Sequence, residues 1–132
     1  MIQGGCLCGR VRFEISADIN DVVYCHCSQC RKAQGSAFAV NGNVDAQAFH
    51  FTCGESELTA YQYLPEQQKF FCKHCGSPIM SRNSNKPNVV RIRLGTLDGD
   101  IPYHPGAHVF AGSKANWDMI CDELPQYDEY PD

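Results

Sequence analysis

Hydrophobic and polar residues alternate with period two along much of this chain, the pattern of strands with one buried face. Val11, Phe13 and Ile15 alternate with Arg12 and Glu14. Phe49, Phe51 and Cys53 alternate ahead of Gly54, and Val90, Ile92 and Leu94 alternate with Arg91 and Arg93. Leu58 to Leu64 carries further alternation before Pro65, and shorter apolar runs occupy Val22 to Tyr24, Lys69 to Cys72 and His108 to Ala111. Turn residues separate these stretches at Asn41-Gly42-Asn43, Cys53-Gly54, Asp98-Gly99-Asp100 and Pro105-Gly106. Many short strands between such turns predict an all-β protein of two antiparallel sheets. One short helix interrupts the pattern: Ser28 is a good N-cap, Gly35 is a good residue just past the end, and Arg31 and Lys32 suit the helix dipole near its C-terminus. The acidic, proline-bearing tail from Asp122 to Asp132 is expected to be partly extended.

Length and charge narrow the classes. A chain of 132 residues, 43% hydrophobic and 20% charged, predicts one domain over 1–132 with a modest core. Eleven basic against fifteen acidic residues give a formal charge of −4, and no basic run occurs, which argues against a nucleic-acid surface. No apolar stretch approaches the ~20 residues of a membrane helix. The first nine residues carry neither a charged n-region nor an apolar h-region, so a cytoplasmic protein is expected.

The chain holds nine cysteines, and seven fall in tight groups: Cys6-Leu7-Cys8-Gly9, Cys25-His26-Cys27-Ser28-Gln29-Cys30 and Cys72-Lys73-His74-Cys75-Gly76. Disulfides fit poorly, because the count is odd and a bridge inside C-x-C forms a strained ring. Such spacings in an intracellular protein point to zinc. Two pairs, Cys6/Cys8 and Cys72/Cys75, can close a tetrahedral structural site. Cys25, Cys27 and Cys30 offer three thiolates and leave a fourth position open, the pattern of a reactive zinc. Spacing alone also allows other groupings, such as the central three sharing one metal with a distant cysteine. Thiolate-rich sites of this kind carry net negative charge and need N–H donors or cations beside them. A helix opening at Ser28 would set Cys27 and Cys30 at its positive end, which favours thiolates.

These residues resemble a known family. Gly4-Gly5-Cys6-Leu7-Cys8-Gly9, Cys25-His26-Cys27-Ser28-Gln29-Cys30-Arg31 and Phe71-Cys72-x-x-Cys75-Gly76 look like the glutathione-dependent formaldehyde-activating enzyme family, which includes centromere protein V. The ending, His108 through Ser113-Lys114 and Trp117 to Asp122-x-Leu124-Pro125, is similar as well. The resemblance implies a coiled all-β fold like that of methionine sulfoxide reductase B. It implies a structural zinc on Cys6, Cys8, Cys72 and Cys75 and a looser catalytic zinc on Cys25, Cys27 and Cys30, two zinc ions per chain. It also implies a carbon–sulfur lyase that joins formaldehyde and glutathione into S-hydroxymethylglutathione. The competing readings are a zinc-stabilised binding module, for which basic extensions are expected and absent, and a thiol redox protein.

Other residues carry weaker expectations. His26 can ligate metal, shuttle a proton or point away from the cysteines, and the last is favoured. His74 is expected to be exposed on its turn and His50 to face solvent or the opposite face of the sheet. Arg12 reads as the polar face of a strand, whereas Arg10 and Arg31 are candidates for binding a substrate carboxylate. Cys53 and Cys121, without partners at motif spacing, are expected to be buried and inert. Trp117, Met119 and Ile120 are expected to pack the last segment onto the core. Tyr24 and Phe38 either line a pocket beside the metal or belong to the core.

Overall fold

The computed structural model describes residues 1–131 and divides into two compact units, Met1–Asn20 with Gly42–Pro102, and Asp21–Asn41 with Tyr103–Asp132. In the first unit, β1 (Ile2–Gly5), β2 (Arg12–Ile15) and β5 (Phe49–Cys53) form an antiparallel sheet in the order β1-β2-β5. The alternation in the sequence becomes register here: Phe13 pairs with Phe51 and Ile15 with Phe49, and Phe13 and Phe49 stack at 5.0 Å. The remaining strands order as β4-β9-β8-β7-β6, with β4 (Ala39–Asp45) contributing Gly42–Asp45, followed by β9 (Val89–Arg93), β8 (Pro78–Asn83), β7 (Gln67–Cys72) and β6 (Leu58–Leu64). Val11, Phe13, Ile15, Ile79, Met80, Val90 and Ile92 are buried and supply the core. Gly54 turns the chain out of β5 at φ 75°, and a Cβ there would lie 1.9 Å from the carbonyl oxygen of Arg10, so only glycine fits.

In the second unit, β10 (Ala107–Val109), β3 (Asn20–Cys25) and the start of β4 lie in the order β10-β3-β4, and α1 (Ser28–Gln34) follows β3 directly. The β10–β3 pair is parallel, with His108 beside Tyr24 and Val109 beside Cys25, which departs from the expected all-antiparallel arrangement. The tail continues that side. The His108 N–H donates to the Pro125 carbonyl at 2.9 Å, the Tyr127 N–H to that of His108 at 2.9 Å, and the Phe110 N–H to that of Glu129 at 3.1 Å. The tail is thus anchored along β10 as well as extended; Asp132 lies outside the described residues.

Three local expectations are corrected. Asn41-Gly42-Asn43 lies inside β4 instead of a turn, because tertiary partners outweigh its turn propensity: Asn41 is buried with its amide toward Cys30, and Asn43 accepts from Arg91 at 3.0 Å. The helix N-cap is Cys27, whose sulfur accepts the Cys30 N–H, while Ser28 is the first helical residue. Arg93, on the polar side of the alternation, is 4% exposed. Gly35 ends α1 in the left-handed conformation as expected. Among the described residues, no helix is long and apolar enough to cross a membrane.

Candidate metal centres

The first cluster is built from two matching turns. After β1, the Gly9 N–H returns to the Cys6 carbonyl at 3.2 Å and the Cys6 N–H binds the Val11 carbonyl at 3.0 Å. After β7, the Gly76 N–H returns to the Cys72 carbonyl at 2.8 Å and the Cys72 N–H binds the Ser77 carbonyl at 3.0 Å. Gly9 and Gly76 take φ 83° and 77°, where a side chain would be strained. The Leu7 N–H donates to the Ser77 hydroxyl at 2.9 Å and ties one turn to the other. The Sγ atoms of Cys6, Cys8, Cys72 and Cys75 converge to within 4.8 Å of one another. Cys6 and Cys8 stand 3.6 Å apart and Cys8 and Cys72 3.8 Å. Zn–S bonds of about 2.3 Å in a tetrahedron put the sulfurs about 3.8 Å apart, so the spacing fits zinc.

Donors surround these sulfurs, as thiolates require. The Val11 N–H points at Cys6 Sγ from 3.3 Å and the His74 N–H at Cys72 Sγ from 3.4 Å. The Ser77 hydroxyl and N–H bring the Cys75 thiol down to about 5. The Arg10 N–H and guanidinium lower that of Cys8, whereas burial raises that of Cys72. Arg10, a candidate for substrate binding, serves a sulfur of this cluster instead. Arg12 pairs with Asp98, and His74 sits exposed on its turn, 2.7 Å from Glu57, which also pairs with Lys73 at 3.1 Å.

The second cluster lies in the second unit, where β3 hands over to α1. Cys25 ends the strand, Cys27 caps the helix and Cys30 sits in its first turn, so three sulfurs arise from six residues and lie within 4.8 Å of one another. Cys25 and Cys27 are 3.5 Å apart, again a distance suited to a shared zinc. No fourth Cys, His, Asp or Glu among the described residues joins them. The Cys30 N–H points at Cys27 Sγ from 3.3 Å, and the Asn41 amide approaches Cys30 Sγ at 3.9 Å. Hydrogen bonding with the sulfurs of Cys27 and Cys30, then burial, pushes the Cys25 thiol far up. Three crowded thiols resist ionising together unless a cation shares their charge. Cys25 and Cys30 are buried with Ala39 and Val109, while half-buried Cys27 also lines an open cavity of about 1030 Å³.

His26 points away from the sulfurs. It is fully buried, and its Nε2 meets His108 Nδ1 at 2.8 Å. His108 Nε2 in turn lies 3.0 Å from both carboxylate oxygens of Asp122. Desolvation works against the Asp122 charge, but the bonds from His108 and from the Leu124 N–H outweigh it and hold the carboxyl low. A carboxylate only accepts, so His108 Nε2–H donates, its Nδ1 accepts, and His26 Nε2–H is the donor of the inner bond. His26 Nδ1 is then a bare, buried nitrogen, 3.9 Å from Asp118 and without a hydrogen-bond partner. Burial, and then the charge of His108, hold the His26 pKa below its usual value. Tyr24 stacks on His108 at 4.8 Å and Phe38 packs edge-on against both Tyr24 and His26, so these rings enclose the histidine pair and do not line the cavity.

The sequence marked His108 and Asp122 only within an ending similar to the family's and gave neither a site role; the apolar run placed His108 in a strand but could not reveal the parallel pairing that brings it to His26. Other expectations fail here. Trp117 and Met119 are 70% and 80% exposed and do not pack on the core. Cys53 and Cys121 are exposed thiols, not buried ones.

Fold and site together define a small all-β protein with two preassembled thiol clusters, one of four sulfurs and one of three, each compatible with zinc. Residues 1–113 match the model of the family described as glutathione-dependent formaldehyde-activating enzyme, and the chain belongs to that family. It is 29% identical over 127 residues to a "Putative glutathione-dependent formaldehyde-activating enzyme" of Halomonas elongata, covering 89% of this chain and 79% of that protein. A protein of Emericella nidulans with the same name is 31% identical over 77 residues, 58% of this chain and 39% of its own length. A crystal structure of a Rhodobacter sphaeroides protein superposes with a TM-score of 0.64 at 26% identity, covering 76% of this chain and 91% of that one.

Proposed function

We propose that this chain is a zinc-dependent carbon–sulfur lyase acting between a small aldehyde and a thiol, with formaldehyde and glutathione the pair indicated by the family description and the relatives' names. The supporting observation is the three-sulfur cluster, joined by no fourth Cys, His, Asp or Glu among the described residues, with Cys27 at the wall of an open cavity. In this reading Cys6, Cys8, Cys72 and Cys75 hold a structural zinc, and Cys25, Cys27 and Cys30 hold the catalytic one.

A zinc held by three thiolates supplies a Lewis acid beside which a substrate thiol loses its proton more readily. The chain's own groups do the rest. Val109 and Ala39 bury Cys25 and Cys30 and keep water from that side, leaving Cys27 toward the cavity. The Cys30 N–H and the Asn41 amide moderate the charge on the cluster sulfurs. The substrate sulfur forms a bond to the aldehyde carbon as the carbonyl pair moves onto oxygen. That oxygen takes up one proton, and the thiol has given one up. Ser28, Ser113, Tyr127 and Tyr130 are the hydroxyl-bearing residues of the cavity wall and the candidates to protonate the alkoxide.

NMR exchange between formaldehyde, glutathione and S-hydroxymethylglutathione tests this with zinc-loaded protein. Two zinc ions per chain and faster exchange are expected. Cys27→Ser should keep the fold and one zinc and lose the rate enhancement. Full turnover in that variant, or a single zinc in the wild type, rejects the assignment.

A further inference from the structure

Residue 26 is the joint between two rigid elements. β3 ends at Cys25, Cys27 caps α1, and only His26 lies between them. The strand fixes Cys25 and the first helical turn fixes Cys30, so the backbone at residue 26 decides whether three sulfurs can meet one ion. Successive side chains of extended backbone point to opposite sides. Cys25 and Cys27 face the same way, with their sulfurs 3.5 Å apart, and the His26 ring turns into the core of the unit. β10 then holds the joint twice. The His26 N–H donates to the Val109 carbonyl at 3.0 Å, and its Nε2–H donates to His108 Nδ1 at 2.8 Å. The first bond fixes where the residue sits and the second how it is rotated, and consecutive residues of one strand accept both.

His108 is itself anchored in four ways. Its N–H donates to the Pro125 carbonyl, its carbonyl accepts from the Tyr127 N–H, its Nε2 faces Asp122 at 3.0 Å, and Tyr24 stacks on its ring. Phe38 closes over His26, edge-on at 5.4 Å. Such a place is costly for polar groups. Both rings are buried, and His26 Nδ1 has no hydrogen-bond partner. Two apolar side chains would fill the same volume without that cost. They would lack direction: apolar contacts fill space, whereas a hydrogen bond between two rings sets a distance and an angle. Groups that orient metal ligands from behind commonly account for about tenfold or more in a site's affinity.

We propose that His26 and His108 are positioning residues for the three-sulfur cluster: their bond locks the joint between β3 and α1, so that Cys25, Cys27 and Cys30 are preset to share one metal ion. Their role rests on the metal reading of that cluster and not on the reaction assigned to it. The three sulfurs repel one another as thiolates, and a loose joint would let them part; the locked one keeps them within 4.8 Å of one another.

Two substitutions break the bond from opposite ends while keeping the space filled: His26→Leu, and His108→Phe, which also leaves a ring against Tyr24. His26→Gln keeps an N–H donor near the place of Nε2. Zinc affinity at each cluster is measured by chelator competition on the full chain, with folding checked by circular dichroism. Cobalt(II) absorption reports the geometry of the three-sulfur site. Both bond-breaking variants should lose on the order of tenfold or more in affinity at the three-sulfur cluster, keep it at the four-sulfur cluster, and show altered cobalt d–d bands. His26→Gln should recover most of the affinity and the wild-type bands. Unchanged affinity or unchanged bands in either folded variant, an equal loss at both clusters, or a loss in His26→Gln as large as in His26→Leu overturns the assignment. Aldehyde–thiol exchange is read separately: its absence from the wild type rejects the lyase, and the metal affinities still decide the positioning role.

Discussion

Replacing His108 by alanine tests whether the buried histidine pair supports the second unit. The substitution strips His26 of its 2.8 Å hydrogen bond to His108, while its other nitrogen already lacks a hydrogen-bond partner. A buried polar group left unpaired costs about 1–3 kcal/mol. The stacked contact with Tyr24 at 4.8 Å is lost as well, worth about 0.5–1.5 kcal/mol. Asp122 is half exposed and rehydrates, so its loss adds at most about 1 kcal/mol. The expected total is about 2–5 kcal/mol, a large part of the ~5–15 kcal/mol that stabilises a typical domain. Urea denaturation of zinc-loaded protein at pH 7.5 measures it. Asp122→Asn should cost about 1 kcal/mol or less. His26→Ala and His108→Ala combined should cost clearly less than their sum, with a coupling of about 0.5–3 kcal/mol. A loss below ~1 kcal/mol for His108→Ala, or strict additivity of the pair, refutes the account.

The His26 pKa is lowered by folding, so between that value and the unfolded value of about 6.5 the unfolded chain binds more protons. The contribution is fully present above that unfolded value and is lost as pH falls below it, at up to about 1.4 kcal/mol per pH unit; urea midpoints of wild type and His26→Gln from pH 7.5 to 5.5 should diverge in that sense, and an equal slope counts against it. Of nine cysteines, only exposed Cys53 and Cys121 lie outside the clusters, so two thiols should alkylate quickly in zinc-loaded protein and seven more only after chelation. Cys72→Ser should abolish folding, since structural zinc contributes folding free energy directly, and a folded variant by circular dichroism contradicts the four-sulfur assignment. Gly54→Ala should destabilise by more than about 2 kcal/mol, because its Cβ meets backbone that cannot swing aside; a thermal midpoint within 2 °C of wild type argues otherwise.

Strands whose two faces differ in polarity were legible. β5 and β6 run over the residues that alternation marks, and β2, β7 and β9 begin or end within two residues of it. β1, with two glycines in four residues, and β4, with Asn-Gly-Asn at its centre, carry no such alternation, and their place depends on partners distant in sequence. The cysteine groups could be read because ligand spacing is a local property. The histidine pair and the cavity wall could not, because they arise from the parallel pairing of β10 with β3 and from the tail laid along β10. Trp117 and Met119 misled for a related reason: apolar composition near a chain end says nothing of which surface they face.

The second unit is discontinuous, and this sets an order of events during synthesis. Cys25, Cys27 and Cys30 leave the ribosome early, but Val109, which covers Cys25 and Cys30, and His108, 82 residues beyond His26, emerge only after the whole intervening unit. Closing so long a loop costs entropy that only the final contacts offset. The four-sulfur site is complete once Cys75 has been made, whereas the three-sulfur segment remains uncovered until the last thirty or so residues follow. Assembly of the two sulfur clusters is therefore staggered in time, and the nascent chain passes through a stage in which Cys25, Cys27 and Cys30 lie uncovered while the four-sulfur cluster is already complete.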